Sequence, residues 1–270
     1  MPDEIMQKLE AGYQAQRSGE LAQAERLYKQ VLESDKDNIH ALNLLGMLCV
    51  NSFRPDEAVG YITKALQRAP DNPQSHTNIG LAYKDQGNAK KAAHHFRESI
   101  KLDPDNPDVF NNLGNVLRVL EKPREAIRSY ESALQLNRNF AECWSNLAAA
   151  LNENDQLNPA LKAVGRALEL NPELAQAYNN RGDIYLAQAR YEDALAEYKY
   201  ATKLSPKYVA ALINMAKVQR DMDAPDDALQ TLQLALDLEP ANPEALLVQG
   251  VLHEQIGDRE SAATSFKAAI

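Results

Sequence analysis

The 270-residue sequence predicts an all-α protein, a row of helical hairpins, on three observations. Alanine recurs every 34 residues, at Ala24, Ala58, Ala92, Ala126, Ala160, Ala194, Ala228 and Ala262, eight times without a miss. Glycine keeps a second phase, at Gly12, Gly46, Gly80, Gly114, Gly182 and Gly250, with Ala148 and Ala216 in the gaps. Proline keeps a third, at Pro70, Pro104, Pro172, Pro206 and Pro240, with Arg138 in the place of a sixth. Four leading residues, seven full units of 34 and a truncated eighth of 28 cover the chain without an insertion.

Numbered 1 to 34 from Ile5, the units begin at about 5, 39, 73, 107, 141, 175, 209 and 243. Apolar or small residues dominate positions 4, 7, 8 and 11, and again 20, 24, 27 and 28. Both sets follow the i, i+3, i+4, i+7 spacing of an amphipathic helix, so each unit reads as two helices of roughly 12 to 15 residues. One such pair cannot bury its apolar face alone. Stacked in series, the pairs share a continuous core and wind into a superhelix, which makes residues 1–270 a single domain. Position 8 is expected to face position 20 across each pair, small residues at both letting the backbones approach; a larger side chain would overpack the contact. Position 4, with His76, Phe110, Trp144, Tyr178, Leu212 and Leu246, is expected to fill the core.

Unit by unit, the punctuation supports these elements. Unit one carries Lys8 at position 4, which suits a polar terminal cap, and Gly19 marks its interhelical turn. In unit two Pro55 opens the second helix, followed by Asp56 and Glu57 where the helix dipole favours acids. Unit three starts at Asn72-Pro73, an N-cap residue before a first-turn proline, turns at Gly87 and stops at Pro104. Asn106-Pro107 and Pro123 open the two helices of unit four. Units five and six end at Pro172 and Pro206; in unit seven Pro225 opens the second helix and Pro240 follows it. Unit eight starts at Asn242-Pro243, turns at Gly257 and reaches Ile270 inside its second helix, on apolar residues.

Net charge is −9, with 38 acidic residues against 29 basic ones, so a nucleic-acid partner is not expected: neutralising phosphates needs a cationic surplus. No apolar run is long enough to span a bilayer and MPDEIMQKLE has no secretory h-region, so no membrane partner is expected. Two cysteines 94 residues apart suit a reducing, cytoplasmic setting.

The repeat resembles the tetratricopeptide repeat family, whose unit reads W-x2-L-G-x2-Y, then A-x3-F, then A and P. Unit three supplies His76, Ile79, Gly80, Tyr83, Ala92, Phe96, Ser99 and Pro104; unit six supplies Tyr178, Arg181, Gly182, Tyr185, Ala194, Tyr198, Ala201 and Pro206. Arg181 and Gln249 at position 7, and Arg138 for the terminal proline, depart from the pattern. The resemblance covers essentially the whole chain. It implies a right-handed α-α superhelix with first helices lining a concave face, and a protein or peptide as partner.

On that face position 6 is the informative one: Asn78, Asn112, Asn146, Asn180 and Asn214 hold it in five consecutive units, and Asn43, Asn111 and Asn179 add amides at position 5. Asn has two donors and two acceptor lone pairs, enough to pair with both the N–H and the C=O of an extended peptide. The other reading is structural, an amide bonded to a neighbouring helix. The series resembles the asparagine ladder in the repeat array preceding the catalytic domain of O-GlcNAc transferase, which implies a groove that grips main chain. Lys84 and Arg118 are expected to add contacts on a face otherwise solvated and ion-paired. Position 2 has no Lys, so the carboxylate clamp of the family's chaperone-binding members is absent.

Catalytic, metal and cofactor motifs are lacking: there is no Gly-rich phosphate loop, G-x-S-x-G, HExxH or CxxC. His94 and His95 point about 100° apart on a helix and are expected on a solvated face. Cys49 and Cys143 read as ordinary helix residues. The chain is therefore expected to be a non-enzymatic scaffold. Two alternatives stand beside this: the substrate-recruiting part of a larger glycosyltransferase or sulfotransferase continuing past Ile270, or a homo-oligomer assembled through the uncapped C-terminal end.

Overall fold

The computed structural model describes residues 2–270, with side chains from Asp3 onward; they form helices joined by tight turns, with no strand among them. The helices gather into two compact units, one running to Arg138 and the other spanning Asn139–Ile270. Unit one holds α1 (Pro2–Arg17), α2 (Leu21–Ser34), α3 (Ile39–Asn51), α4 (Pro55–Arg68), α5 (Pro73–Asp85), α6 (Ala89–Leu102), α7 (Pro107–Val119) and α8 (Pro123–Leu136). Unit two holds α9 (Ala141–Glu153), α10 (Leu157–Leu170), α11 (Ala175–Ala187), α12 (Tyr191–Leu204), α13 (Val209–Asp221), α14 (Pro225–Leu238), α15 (Pro243–Gln255) and α16 (Arg259–Ala268). Within either unit each odd-numbered helix pairs with the even one after it. First helices of neighbouring hairpins touch one another and no two second helices do, so each unit has a face built from its first helices alone.

Side-chain caps fix where the first helices start. Asn72 accepts from Ser75 N at 2.8 Å, Asn106 from Asp108 N at 3.1 Å, and Asn242 from Ala245 N at 3.0 Å, each ahead of a first-turn proline. Asn38, Asn88 and Asp258 cap α3, α6 and α16 in the same way.

The turn inside every hairpin uses one device. Its fifteenth-position residue is left-handed, with φ between 55° at Phe53 and 85° at Gly257. The next residue's N–H then reaches back to the carbonyl five residues earlier, as in Arg54 N to Cys49 O at 2.9 Å and Arg190 N to Tyr185 O at 2.9 Å. This closes the helix end as a Schellman motif does. Glycine fits the conformation at Gly19, Gly87 and Gly257, whereas Phe53, Glu121, Asp155, Ala189 and Asp223 adopt it against the steric preference of an L-residue.

Two packing expectations change. The phased glycines face position 24 rather than position 20. A Cβ on Gly80 would lie 2.7 Å from Cε1 of Phe96, on Gly114 2.4 Å from Cε1 of Tyr130, and on Gly182 2.5 Å from Cε1 of Tyr198. A helical side chain leans toward the N-terminus of its helix, so the ring at 24 covers the backbone opposite position 8. Where position 24 holds Val164 or Leu232 instead of a ring, position 8 holds Ala148 or Ala216; opposite the bulkier β-branched Ile62 it stays glycine, a Cβ on Gly46 falling 2.3 Å from Cγ1 of Ile62. The second change is at position 4. Leu42, Leu212 and Leu246 are buried there, but His76, Phe110, Trp144 and Tyr178 are only half-buried. Their polar tips find the edge of the repeat: His76 Nε2 bonds the Pro70 carbonyl at 2.9 Å and the Tyr178 hydroxyl donates to the Pro172 carbonyl at 3.0 Å.

Candidate functional site

The first helices carry the amides, and the two units are taken separately. In unit one, Asn78 on α5 is 2% exposed and its Oδ1 accepts from the Gln74 side chain at 2.8 Å. Asn43 on α3 accepts the Ser75 hydroxyl of α5 at 2.8 Å. Asn111 on α7 is buried. Asn112, its neighbour, is half-buried and has no hydrogen-bond partner among the described residues. In unit two, Asn180 on α11 sends Nδ2 to both the carbonyl and the hydroxyl of Ser145 on α9, at 3.0 and 2.9 Å. Asn214 on α13 sends Nδ2 to Asn179 Oδ1 at 3.2 Å and Asp183 Oδ1 at 3.1 Å, both on α11. Asn179 in turn donates to Asp183 Oδ2 at 3.3 Å, and buried Asn146 accepts from Gln176 at 2.9 Å.

A rule runs through these bonds. A position-6 amide reaches position 5 of the preceding hairpin: Asn180 meets Ser145 and Asn214 meets Asn179. The counterpart for Asn112 is Thr77, whose hydroxyl is turned the other way, onto the Ser99 hydroxyl at 2.8 Å and the Pro73 carbonyl at 3.2 Å. The side chain of Asn112 has neither donors nor acceptor engaged among the described residues. Asn180 and Asn214 keep their Oδ1 acceptors. The partner residues Ser145, Gln74 and Gln176 escape a reading centred on position 6 alone; their signal lies at positions 5 and 2.

Buried tyrosines brace this face from beneath. The Tyr130 hydroxyl donates to Asn115 Oδ1 at 2.7 Å, Tyr198 to Asp183 Oδ1 at 2.7 Å, and Tyr28 to Gln16 Oε1 at 3.1 Å. Burial pushes the Tyr28 phenol up to about 12, and burial together with the Asp183 carboxylate raises Tyr198 as well, so both act as fixed donors. Charged residues on the face are mostly paired. Lys84 lies 3.7 Å from Asp85, Arg220 2.7 Å from Asp221 and Lys217 2.5 Å from Glu244, while Arg118 is half-buried on α7.

The histidine pair departs from the expected solvated face. His94 is exposed, but His95 turns onto α5, its Nδ1 3.0 Å from His76 Nδ1 and its ring stacked on Tyr83 at 5.6 Å. Burial, then the His76 and His94 rings, hold the His95 imidazole down to about 4. Among the described residues no three His, Cys, Asp or Glu side chains converge as metal ligands would. Cys49 and Cys143 are both buried, and burial pushes the Cys49 thiol up. No helix is long and apolar enough to cross a membrane among these residues.

Four models of the tetratricopeptide repeat match the chain, at residues 80–118, 107–140, 153–209, and 15–80 with 185–252. No curated protein matches it. Among solved structures, a tetratricopeptide repeat protein from Parabacteroides merdae is similar over 99% of both chains at 16% identity, with a TM-score of 0.75. A chain of the APC/C hetero-tetramer Cut9-Hcn1 is similar over 92% of this chain at 15% identity and a TM-score of 0.71; the chain spans about half of that one, 49%. YrrB, described as a TPR protein with an unusual peptide-binding site, is similar at 25% identity over 68% of this chain and 95% of its own, with a TM-score of 0.56. The 34-residue phase, the Schellman-closed hairpins, the glycine–ring contact and these matches agree: the chain belongs to the tetratricopeptide repeat family.

Proposed function

We propose that the chain is a protein-interaction scaffold that binds an extended segment of a partner on its first-helix faces, with Asn112 as the main-chain contact in unit one. The observation that carries this reading is the unspent amide of Asn112. It is half-buried on α7, and its side chain uses neither its donors nor its acceptor among the described residues. A polar group in that setting gains most from a ligand that supplies both an N–H and a C=O. The likeness to YrrB, a peptide-binding relative of the fold, supports the same reading.

In unit two the amides have a double duty. Asn180 and Asn214 tie neighbouring hairpins together through Nδ2, and only Oδ1 is left to accept a peptide N–H. Asn78, at 2% exposure, and Asn146, Asn111 and Asn179, all buried, support the face from below rather than touch a ligand. Lys84 in the last turn of α5 and Arg118 in the last turn of α7 contribute charge at the edge. The test is peptide display on the full chain, followed by titration of the selected peptides. Asn112→Ala is expected to weaken binding about fivefold or more, the loss of one to two hydrogen bonds, at unchanged helicity. Unchanged affinity would discard Asn112 as a contact.

A further inference from the structure

At the start of unit one the first-helix face changes character. A trough of about 830 Å³ runs between α1 and α3, within the size range of small-ligand and side-chain pockets. Its walls are Met6, Leu9, Tyr13 and Leu44. Met6 and Tyr13 are 69% and 47% exposed, a high value for side chains that gain from leaving water. Leu44 occupies position 6, where the next five hairpins carry asparagine, and position 9 runs Tyr13, Met47, Leu81 before turning polar at Asn115. The trough has one charged lining residue, Glu10. Its Oε1 accepts from the Gln14 side chain at 2.8 Å, and its other oxygen has no partner among the described residues.

We infer that this trough is an anchor pocket for a peptide bearing a bulky apolar side chain next to a basic one. This rests on the peptide-scaffold reading and adds the sequence class of the partner. The apolar walls take an aromatic or branched aliphatic side chain, and burying it supplies the gain that the amides alone cannot. The free carboxylate oxygen at the rim takes the neighbouring Lys or Arg, and the acidic balance of the whole chain, −9, favours the same sign of ligand. Selectivity then comes from α1 and α3, whereas the amide of α7 reads main chain without regard to sequence.

Methionine methyl NMR on the full chain tests this, because Met6 lies in the wall while Met215 and Met222 lie in unit two and serve as internal references. The probes are two blocked tetrapeptides, Ala-Phe-Lys-Ala and Ala-Phe-Gln-Ala. An extended tetrapeptide is about 13 Å long, and α7 lies two helix spacings, roughly 16–20 Å, from α3, so neither probe reaches Asn112. The expected result is a saturable shift of the Met6 methyl with Met215 and Met222 unmoved, and tighter binding of the Lys peptide. Tyr13→Ala, a change at a solvent-facing wall, weakens both peptides about tenfold. Glu10→Gln removes the preference for Lys and leaves the Gln peptide unaffected. A still Met6, equal affinities for the two peptides, or indifference to Tyr13→Ala overturns the pocket. So does light scattering that finds a dimer dispersed by Tyr13→Ala, which would give the trough to a second copy. Asn112→Ala leaves tetrapeptide binding unchanged and weakens only longer peptides, so failure of the pocket and failure of the amide contact read out separately.

Discussion

The contact between position 8 and position 24 can be tested by importing one hairpin's solution into another. The α5–α6 hairpin pairs Gly80 with Phe96, while α13–α14 solves the same contact with Ala216 and Leu232. In Gly80→Ala the new Cβ falls 2.7, 2.8 and 3.1 Å from three ring carbons of Phe96, which is fully buried. Overpacking of that kind costs about 1–3 kcal/mol, against which the helix gains about 1 kcal/mol from replacing glycine. Phe96→Leu alone opens a void in a core of crystal-like density and costs about 1–3 kcal/mol. In the double variant the alanine methyl fills part of that void and the clash disappears. Its cost should fall short of the sum of the singles by about 1–2 kcal/mol, a coupling well above the scatter of independent sites. Urea unfolding followed by circular dichroism gives the three midpoints, and hydrogen exchange at the α5 and α6 amides localises the effect. Additive costs, equal within about 0.5 kcal/mol, would refute the contact as the cause of the glycine phase.

Three further outcomes follow from the geometry. Ala189→Gly relieves a left-handed residue at φ 56° and should raise the unfolding midpoint by the equivalent of about 0.5–1 kcal/mol, whereas Gly87→Ala at φ 73° should lower it by a similar amount. His95 binds its proton at about 4 in the folded chain against 6.5 in the unfolded one, so its contribution is intact above pH 6.5 and is lost as pH falls toward 4. Discounted for partial exposure, the loss is about 1–3 kcal/mol, and His95→Gln should flatten that stretch of the stability–pH curve measured by thermal melts. Thr77→Asn supplies α5 with the position-5 amide that Asn214 already meets on α11, so Asn112 should be drawn into an interhelical bond and peptide affinity should fall while stability holds or rises; calorimetry reads both.

Much of this was legible because each hairpin repeats one local solution. The proline and asparagine punctuation marked Pro73, Pro107 and Pro243 as helix starts, and the structure caps all three through the preceding Asn. The alanines of position 20 are all buried, as their unbroken phase implies. Illegible was what depends on partners outside the unit's own phase. Glycine marked three of eight turns, yet Phe53, Glu121, Asp155, Ala189 and Asp223 take the same left-handed φ, because closing the Schellman bond outweighs the local preference. The covariation of position 8 with 24 was present in the residues, but pairing 8 with 20 by size alone ignores the direction in which a helical side chain leans. Equally, His94 and His95 look alike in the chain; only the arrival of His76 from α5 separates a solvated ring from a packed one.

The asparagine series shows the same limit in the form that matters for function. Five identical residues at identical spacing meet different fates because their neighbours differ: Gln74 of its own helix bonds Asn78, Gln176 one hairpin ahead bonds Asn146, and residues one hairpin back bond Asn180 and Asn214. Ser145 and Asn179 offer acceptors at the right height, and Asn180 and Asn214 spend their donors on them. Thr77 carries the same kind of hydroxyl, but it is turned onto the hydroxyl of Ser99, where a serine replaces the alanine found at that position in six other hairpins, at Ala65, Ala133, Ala167, Ala201, Ala235 and Ala269. The Thr77 hydroxyl thus faces a second helix, and no bond joins it to Asn112. The series is therefore not uniformly structural: four of its amides are bonded among the described residues and one is not. Each rung is assigned by the side chains around it, and the rung they leave over, Asn112, keeps both a donor and an acceptor for the main-chain contact proposed above.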